Sequence, residues 1–235
     1  MSDTPLSPAA RSGRIALLIY PGFTALDLFG PHHMLAGAMP ERLDLVANTR
    51  DPVVTDTGAM ITPSAAFDEI EPGLDVLLVP GGTEGTLAAM QDGPTLDFLA
   101  AQGARARYVT SVCTGSLILG AAGLLHGRRA TSHWLTLEVL PMFGAIPVAE
   151  RVVEDGNVIT GAGVSAGLDL GLTVVERLRG TAHAQRVQLV AEYDPHPPLA
   201  SGSPTQAPAD ITATARAYFV PFMARLREAA SKPVR

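Results

Sequence analysis

Cysteine is nearly absent: Cys113 stands alone among 235 residues. One thiol cannot close an internal disulfide, so nothing in the chain calls for an oxidising compartment. Charge is also sparse, at 17% of residues, and acids outnumber bases to leave a formal net charge of −6. That balance argues against nucleic acid as a partner, because phosphate recognition needs clustered Lys and Arg. Arg105 with Arg107, and Arg128 with Arg129, are pairs and not a stripe. Aromatics supply 5% of the chain, which leaves Ala, Val, Leu and Ile to build the core. No apolar run approaches the ~20 residues that cross a bilayer. Residues 1–13 are polar and lack the apolar stretch of a secretory leader. A cytoplasmic protein with no membrane contact is the expectation. Histidines are few and scattered, and no HxxxH, HxH or CxxC spacing occurs. His32 and His33 are adjacent and diverge on a helix, so no metal site is expected.

What the chain does have is 47% hydrophobic residues, arranged as strand-like runs separated by helix-like stretches. Residues 14–20, 75–80 and 108–112 are short continuous apolar runs, as expected for strands buried on both faces. Weaker strand patterns cover 43–47, 53–57 and 60–65. Helical patterns cover 24–37, 94–102, 114–122 and 182–192. Asp155-Gly156-Asn157 reads as a hairpin turn between strands 152–154 and 158–160. Gly161-Ala162-Gly163 then reads as the opening of a helix that runs to Arg179 and stops at Gly180. Residues 193–208, rich in Pro, Ser and Gly, read as a surface loop. A last helix begins near Asp210, read as its N-cap, and Pro221 is expected to interrupt or kink it. Strands alternating with helices imply a parallel sheet covered on both faces. The organisation expected is a flexible tail at 1–13 and a single α/β domain at 14–235.

In such sheets ligands bind at the carboxyl ends of strands, and three features fall there. Cys113 ends one apolar run and precedes a helix. A side chain at a sharp strand-to-helix turn is held out from the sheet beside the helix's first N–H groups, which favour a thiolate. Most lone cysteines are small buried hydrophobes; the turn context favours a nucleophile here. Thr114 follows it, with an N–H placed as an oxyanion donor and a hydroxyl that can meet substrate or satisfy local backbone. Gly81-Gly82 directly follows a strand, and its bare N–H groups suit either an anion site or a plain tight turn. Asp27 is a lone acid among Leu26, Leu28 and Phe29. It caps a helix, or it is a buried carboxyl whose pKa rises until it can donate a proton near neutrality. His133 is either a third member of a Cys-centred site or a structural residue beside Trp134. Asp169 reads as a hydrogen-bond partner for a neighbouring loop, and Val164 and Ser165 as residues near the site.

Several segments together resemble the ThiJ/PfpI superfamily: residues 22–31 (Gly-Phe-Thr-Ala-Leu-Asp-Leu-Phe-Gly-Pro), Val79-Pro80-Gly81-Gly82, Ser111-Val112-Cys113-Thr114-Gly115, Ala122-Gly123-Leu124-Leu125, Gly127 through Thr131, His133-Trp134, and 193–198 (Tyr-Asp-Pro-His-Pro-Pro). Within it the chain is similar to the isonitrile (isocyanide) hydratases. The proteolytic members carry His where Thr114 stands, the deglycase-type members carry Glu where Asp27 stands, and the related regulators add a C-terminal helix-turn-helix. Only about 25 residues follow Asp210, short of what such a module needs. The resemblance implies a flavodoxin-like core shared with class I glutamine amidotransferases, a homodimer, no cofactor, and a small-molecule substrate. It further implies that Cys113 attacks an isocyanide carbon, that Asp27 supplies the proton, and that water releases an N-substituted formamide. Two other readings stand beside it: a thiol enzyme acting on a reactive carbonyl, and a small-molecule sensor without a DNA-binding module.

Overall fold

The computed structural model describes residues 13–231. In chain order the elements are β1 (Arg14–Leu18), α1 (Ala25–Ala36), β2 (Arg42–Ala47), β3 (Val53–Val54), β4 (Met60–Ile61), β5 (Ala65–Ala66), β6 (Val76–Val79), α2 (Glu84–Ala89), α3 (Gly93–Gly103), β7 (Tyr108–Val112), α4 (Gly115–Ala121), β8 (Arg129–Ala130), β9 (Ile146–Pro147), β10 (Val152–Asp155), β11 (Val158–Gly161), α5 (Ala166–Arg179), α6 (Thr181–Val190) and α7 (Ala209–Ala230). Seven strands form one sheet in the order β10-β11-β7-β6-β1-β2-β5. Its pairings are parallel except β10 with β11, which are the two arms of the expected hairpin. Most of the expected tail, residues 1–12, lies outside the described residues. Gly13 belongs to the fold: its N–H donates to Asp75 Oδ2 at 2.8 Å.

The central strands are Val, Leu, Ile and Ala with almost no exposure, because helices cover both faces of the sheet. The sequence-derived strands at 14–20, 75–80 and 108–112 correspond to β1, β6 and β7, which are neighbours in space. Consequently the segments leaving β1, β6 and β7 emerge side by side at one end of the sheet. Those segments carry Asp27, Gly81-Gly82 and Cys113 respectively. Helices α1 and α5 approach closely: a Cβ on Gly167 would lie 2.8 Å from Pro31 Cδ, and one on Gly171 2.8 Å from Met34 Cβ. Glycine at these places lets α1 and α5 approach closely.

Several boundaries differ from the sequence reading. Gly161 does not open a helix; it ends β11, paired with Val112 and Val152, and α5 starts only at Ala166. Pro208, not Asp210, occupies the N-cap of α7, and Asp210 sits in the first turn. The helix also continues past Pro221, where Phe222, Met223 and Leu226 are buried; burying that face outweighs the backbone bond that proline cannot make. The short α2 was not anticipated, nor were the 3-10 turns Phe67–Glu69 and Leu137–Phe143. No described helix is long and apolar enough to cross a membrane.

Candidate active site

Cys113 has φ = 59°, the left-handed region that costs a non-glycine residue about 1–2 kcal/mol. Its peptide groups are over-determined. The N–H donates to Gly161 O at 3.0 Å and lies 3.1 Å from Ala162 O. The carbonyl accepts from Ser116 Oγ at 3.2 Å and from Ser132 Oγ at 3.1 Å. Ser132 is in turn held by Thr136 at 2.8 Å. Strand β11, helix α4 and the segment after β8 thus lock one strained residue. Gly115 completes the turn, since a Cβ there would fall 2.2 Å from Val79 O. Without glycine, α4 could not leave β7 so close to the end of β6.

Asp27 is completely buried, in the first turn of α1. Its carboxylate does not cap that helix. Oδ2 accepts the N–H of Gly81 at 3.0 Å, and the carboxyl lies close enough to Cys113 for the two groups to shift each other's ionisation. Oδ1 has no hydrogen-bond partner among the described residues. Burial pushes the Asp27 pKa up to about 7, helped by the nearby charge of Asp56; Cys113 and the Gly81 hydrogen bond hold it down against that. For Cys113 the balance runs against the thiolate expected from the sequence. Burial pushes the thiol well above its ordinary range, and the charge of Asp27 adds to the push. The N–H and hydroxyl of Thr114 favour the anion, as the turn geometry suggested, but burial and the neighbouring acid outweigh them. Burial thus pushes both groups toward their protonated forms, Asp27 with a pKa of about 7. The two groups titrate as a pair.

Gly81 and Gly82 are where the three strand ends meet. A Cβ on Gly81 would lie 2.6 Å from both Thr114 N and Thr114 Oγ1, and 2.8 Å from Asp27 Oδ2. The two N–H groups expected to receive an anion are engaged within the site, Gly81 with Asp27 and Gly82 with Thr114 Oγ1 at 2.9 Å. The Thr114 hydroxyl, on the residue next to Cys113, is tied to Gly82 O at 2.7 Å and to Thr86 Oγ1 at 2.8 Å. His133 follows Ser132, which bonds the Cys113 carbonyl. Its Nδ1 accepts Leu135 N–H at 3.3 Å, its ring tilts against Trp134, and Gly163 closes over it. Burial lowers its pKa and keeps the ring neutral. Among the described residues no cluster of His, Cys, Asp or Glu could hold a metal ion.

Sequence reasoning missed Ser132, Thr136, Thr86 and the carbonyls of Gly161 and Ala162. None carries a motif, and only the meeting of strand ends reveals them. Asp169 does bond a loop: Tyr193 donates its hydroxyl to Oδ1 at 2.9 Å, and Arg151 pairs with Oδ2. Arg151 also reaches Ser165 at 3.3 Å. A cleft of about 540 Å³ opens nearby between Tyr20, Asn48, Asp51, Gln91 and Thr95; Cys113 and Asp27 do not line it.

This arrangement has relatives. The chain is 49% identical over 208 residues to isonitrile hydratase of Pseudomonas putida, covering 88% of this chain and 90% of that protein. A crystal structure of a ThiJ/PfpI family protein from Pseudomonas syringae superposes with a TM-score of 0.93 at 48% identity, covering 98% and 97% of the two chains. The HTH-type transcriptional regulator CdhR of Pseudomonas aeruginosa is 29% identical over 178 residues, which is 72% of this chain and 52% of the regulator. The fold, mostly parallel and flanked by helices, is the flavodoxin-like α/β architecture of these proteins. The DJ-1/PfpI family pattern matches residues 13–177, from β1 into α5, and the chain belongs to that family.

Proposed function

We propose that the protein hydrates isocyanides to N-substituted formamides, with Cys113 as nucleophile and Asp27 moving the proton. The observation that supports this reading is the meeting of buried Asp27 with the Cys113-Thr114 turn around Gly81, in a chain 49% identical to an isonitrile hydratase. An isocyanide carbon is attacked by a nucleophile and then needs a proton on the same carbon. A thiol that hands its proton to a buried carboxylate provides both in sequence. As sulfur bonds to carbon, Asp27 takes the thiol proton and returns it to that carbon, giving a thioimidate, RN=CH–S–Cys113. Water adds to the same carbon: Asp27 takes one water proton and passes it to the nitrogen, giving RNH–CH(OH)–S–Cys113. The C–S bond then breaks, a proton returns to sulfur, and RNH–CHO leaves. Overall RNC and H2O become the formamide, with no change of oxidation state and with protons balanced between Cys113, Asp27 and water.

In this scheme the Thr114 N–H and hydroxyl support developing charge on sulfur. Gly81 and Gly82 hold Asp27 and Thr114 in place. His133 shapes the wall near Gly163. A homodimer and a cytoplasmic location accompany the reading through the family resemblance. The test is direct: incubate the protein with an alkyl or aryl isocyanide and follow formamide by absorbance. Wild type is expected to turn over and Cys113→Ala to be inactive. Turnover that survives in both Cys113→Ala and Asp27→Asn would remove the proposed roles. Activity on a glyoxal but not on an isocyanide would assign the protein to the carbonyl-directed thiol enzymes instead.

A further inference from the structure

Thr86 is fully buried on α2 and belongs to no motif. Its Oγ1 lies 2.8 Å from Gly82 O and 2.8 Å from Thr114 Oγ1. Thr114 Oγ1 lies 2.7 Å from the same Gly82 carbonyl and already accepts the Gly82 N–H. Two hydroxyl protons therefore compete for one carbonyl. Each hydroxyl has one proton to give, so these contacts are not all made by donation at once. In one arrangement Thr114 donates to Gly82 O and Thr86 donates to Thr114, so the sulfur receives nothing from the hydroxyl. For Thr114 to turn its proton to sulfur, which becomes the strongest acceptor in the site once anionic, another donor must take over the Gly82 carbonyl. Otherwise a buried acceptor loses its hydroxyl partner at a cost. Thr86 is in position to do this, through the back-bond that threonine makes to the carbonyl four residues earlier. Tyr20 does not compete, because its hydroxyl is given to Pro80 O at 2.8 Å and is 3.5 Å from Thr86.

We propose that Thr86 is a positioning residue of the Cys113 site: by holding the Gly82 carbonyl, it releases the Thr114 hydroxyl to donate to sulfur as the thiolate forms. This rests on Cys113 being the reacting group. The titratable groups that bear on the sulfur are Asp27 from α1 and, beyond it, Tyr20 at the end of β1. Both are unchanged in the comparisons that follow.

The chain's single cysteine makes the test clean. Ultraviolet thiolate absorbance, referenced to Cys113→Ser, is titrated against pH in wild type, Thr86→Val and Thr86→Ser. Thr86→Val is expected to raise the thiol midpoint by about one unit, which is about tenfold less thiolate at a given pH below it. Thr86→Ser keeps the hydroxyl and is expected to return to within about threefold of wild type. In a Thr114→Val background, Thr86→Val is expected to add less than about twofold, since the effect passes through Thr114. Isocyanide turnover, measured in parallel, is expected to lose kcat with KM unchanged. Superimposable titrations of wild type and folded Thr86→Val would overturn the proposal, as would Thr86→Ser behaving like Val or an undiminished effect without the Thr114 hydroxyl. If Thr86→Val does not fold by circular dichroism, Thr86→Ala is read with the same criteria. A wild type that makes no formamide, yet whose thiol midpoint moves as stated, would sink the hydratase reading and leave this one standing.

Discussion

The N–H of Gly81 donates to Asp27 Oδ2 at 3.0 Å between residues 54 apart in sequence, and that bond joins the end of β6 to the first turn of α1. It is possible because Gly81 has no side chain: the space a Cβ would take is filled by Thr114 and by the Asp27 carboxylate itself. Gly81→Ala should therefore push apart three parts of the site at once. Overpacking of this kind costs about 1–3 kcal/mol of stability. The larger effect is expected on turnover, a loss of about a hundredfold or more, because displacements near 1 Å are costly to positioned chemistry. Denaturant melts together with the formamide assay would check both. Wild-type turnover in Gly81→Ala would show that this glycine serves the turn alone.

Asp27 links catalysis to stability through its proton. Its pKa is about 7 in the folded protein and near the ordinary carboxylate value when unfolded. Below the unfolded value both states are protonated and nothing is lost. As pH rises from about 4 to about 7, the unfolded chain releases this proton and the folded chain keeps it, so stability falls across that window and then levels off. The full difference is on the order of 4 kcal/mol. Asp27→Asn cannot titrate and accepts from Gly81 with its amide oxygen. It should be more stable than wild type at pH 8, with the gap closing as pH approaches 4, while isocyanide turnover falls by about a hundredfold or more. Chemical denaturation at several pH values measures the first effect and the formamide assay the second. An equal stability gap at pH 4 and pH 8 would contradict the assigned titration.

The same residue should control the thiol. A carboxylate that accepts the thiol proton and repels its anion keeps sulfur protonated, so removing its charge should lower the Cys113 pKa. Asp27→Asn is expected to form thiolate at lower pH than wild type and yet to hydrate isocyanide more slowly. That opposition separates two ideas that the sequence left joined, a sulfur already ionised by helix amides and a sulfur ionised by its neighbour. If the thiol midpoint rises in Asp27→Asn, the amide donors of the turn were never outweighed.

Much of this site could be read from the chain, for a physical reason. Strands β1, β6 and β7 are apolar runs ended by Gly, Pro or Cys, and the carboxyl-end rule then gathers whatever follows them. Cys113, Asp27 and Gly81 were placed together by topology alone. The errors have a different origin. Gly161-Ala162-Gly163 resembles the opening of a helix, but the ladder to Val112 claims Gly161, and the carbonyls of Gly161 and Ala162 hold Cys113. Helix α2 is six residues of small side chains, with Gly85 pressed against the chain at Pro21 and Gly22, and no periodicity of that length marks it. Ser132 and Thr86 become functional candidates only because distant backbone groups arrive beside them. Their hydroxyls would look the same in any loop. The burial that pushes the Cys113 thiol up is not written in the local turn.

The strain at Cys113 yields a prediction independent of any substrate. At φ = 59° a Cβ is disfavoured by about 1–2 kcal/mol, whereas glycine adopts that region freely. Elsewhere in regular structure glycine is about 0.5–1 kcal/mol less stable than alanine. At this turn the order should reverse, with Cys113→Gly at least as stable as Cys113→Ala by equilibrium denaturation. Both remove the thiol, both should be inactive, and neither leaves a large cavity, so backbone conformation is the main difference between them. Alanine proving the more stable by the usual margin would mean that the turn relaxes out of the left-handed region once sulfur is gone. In that case the hydrogen bonds from Ser116 and Ser132, and the one the Cys113 N–H gives to Gly161 O, follow the side chain and do not impose the strained backbone.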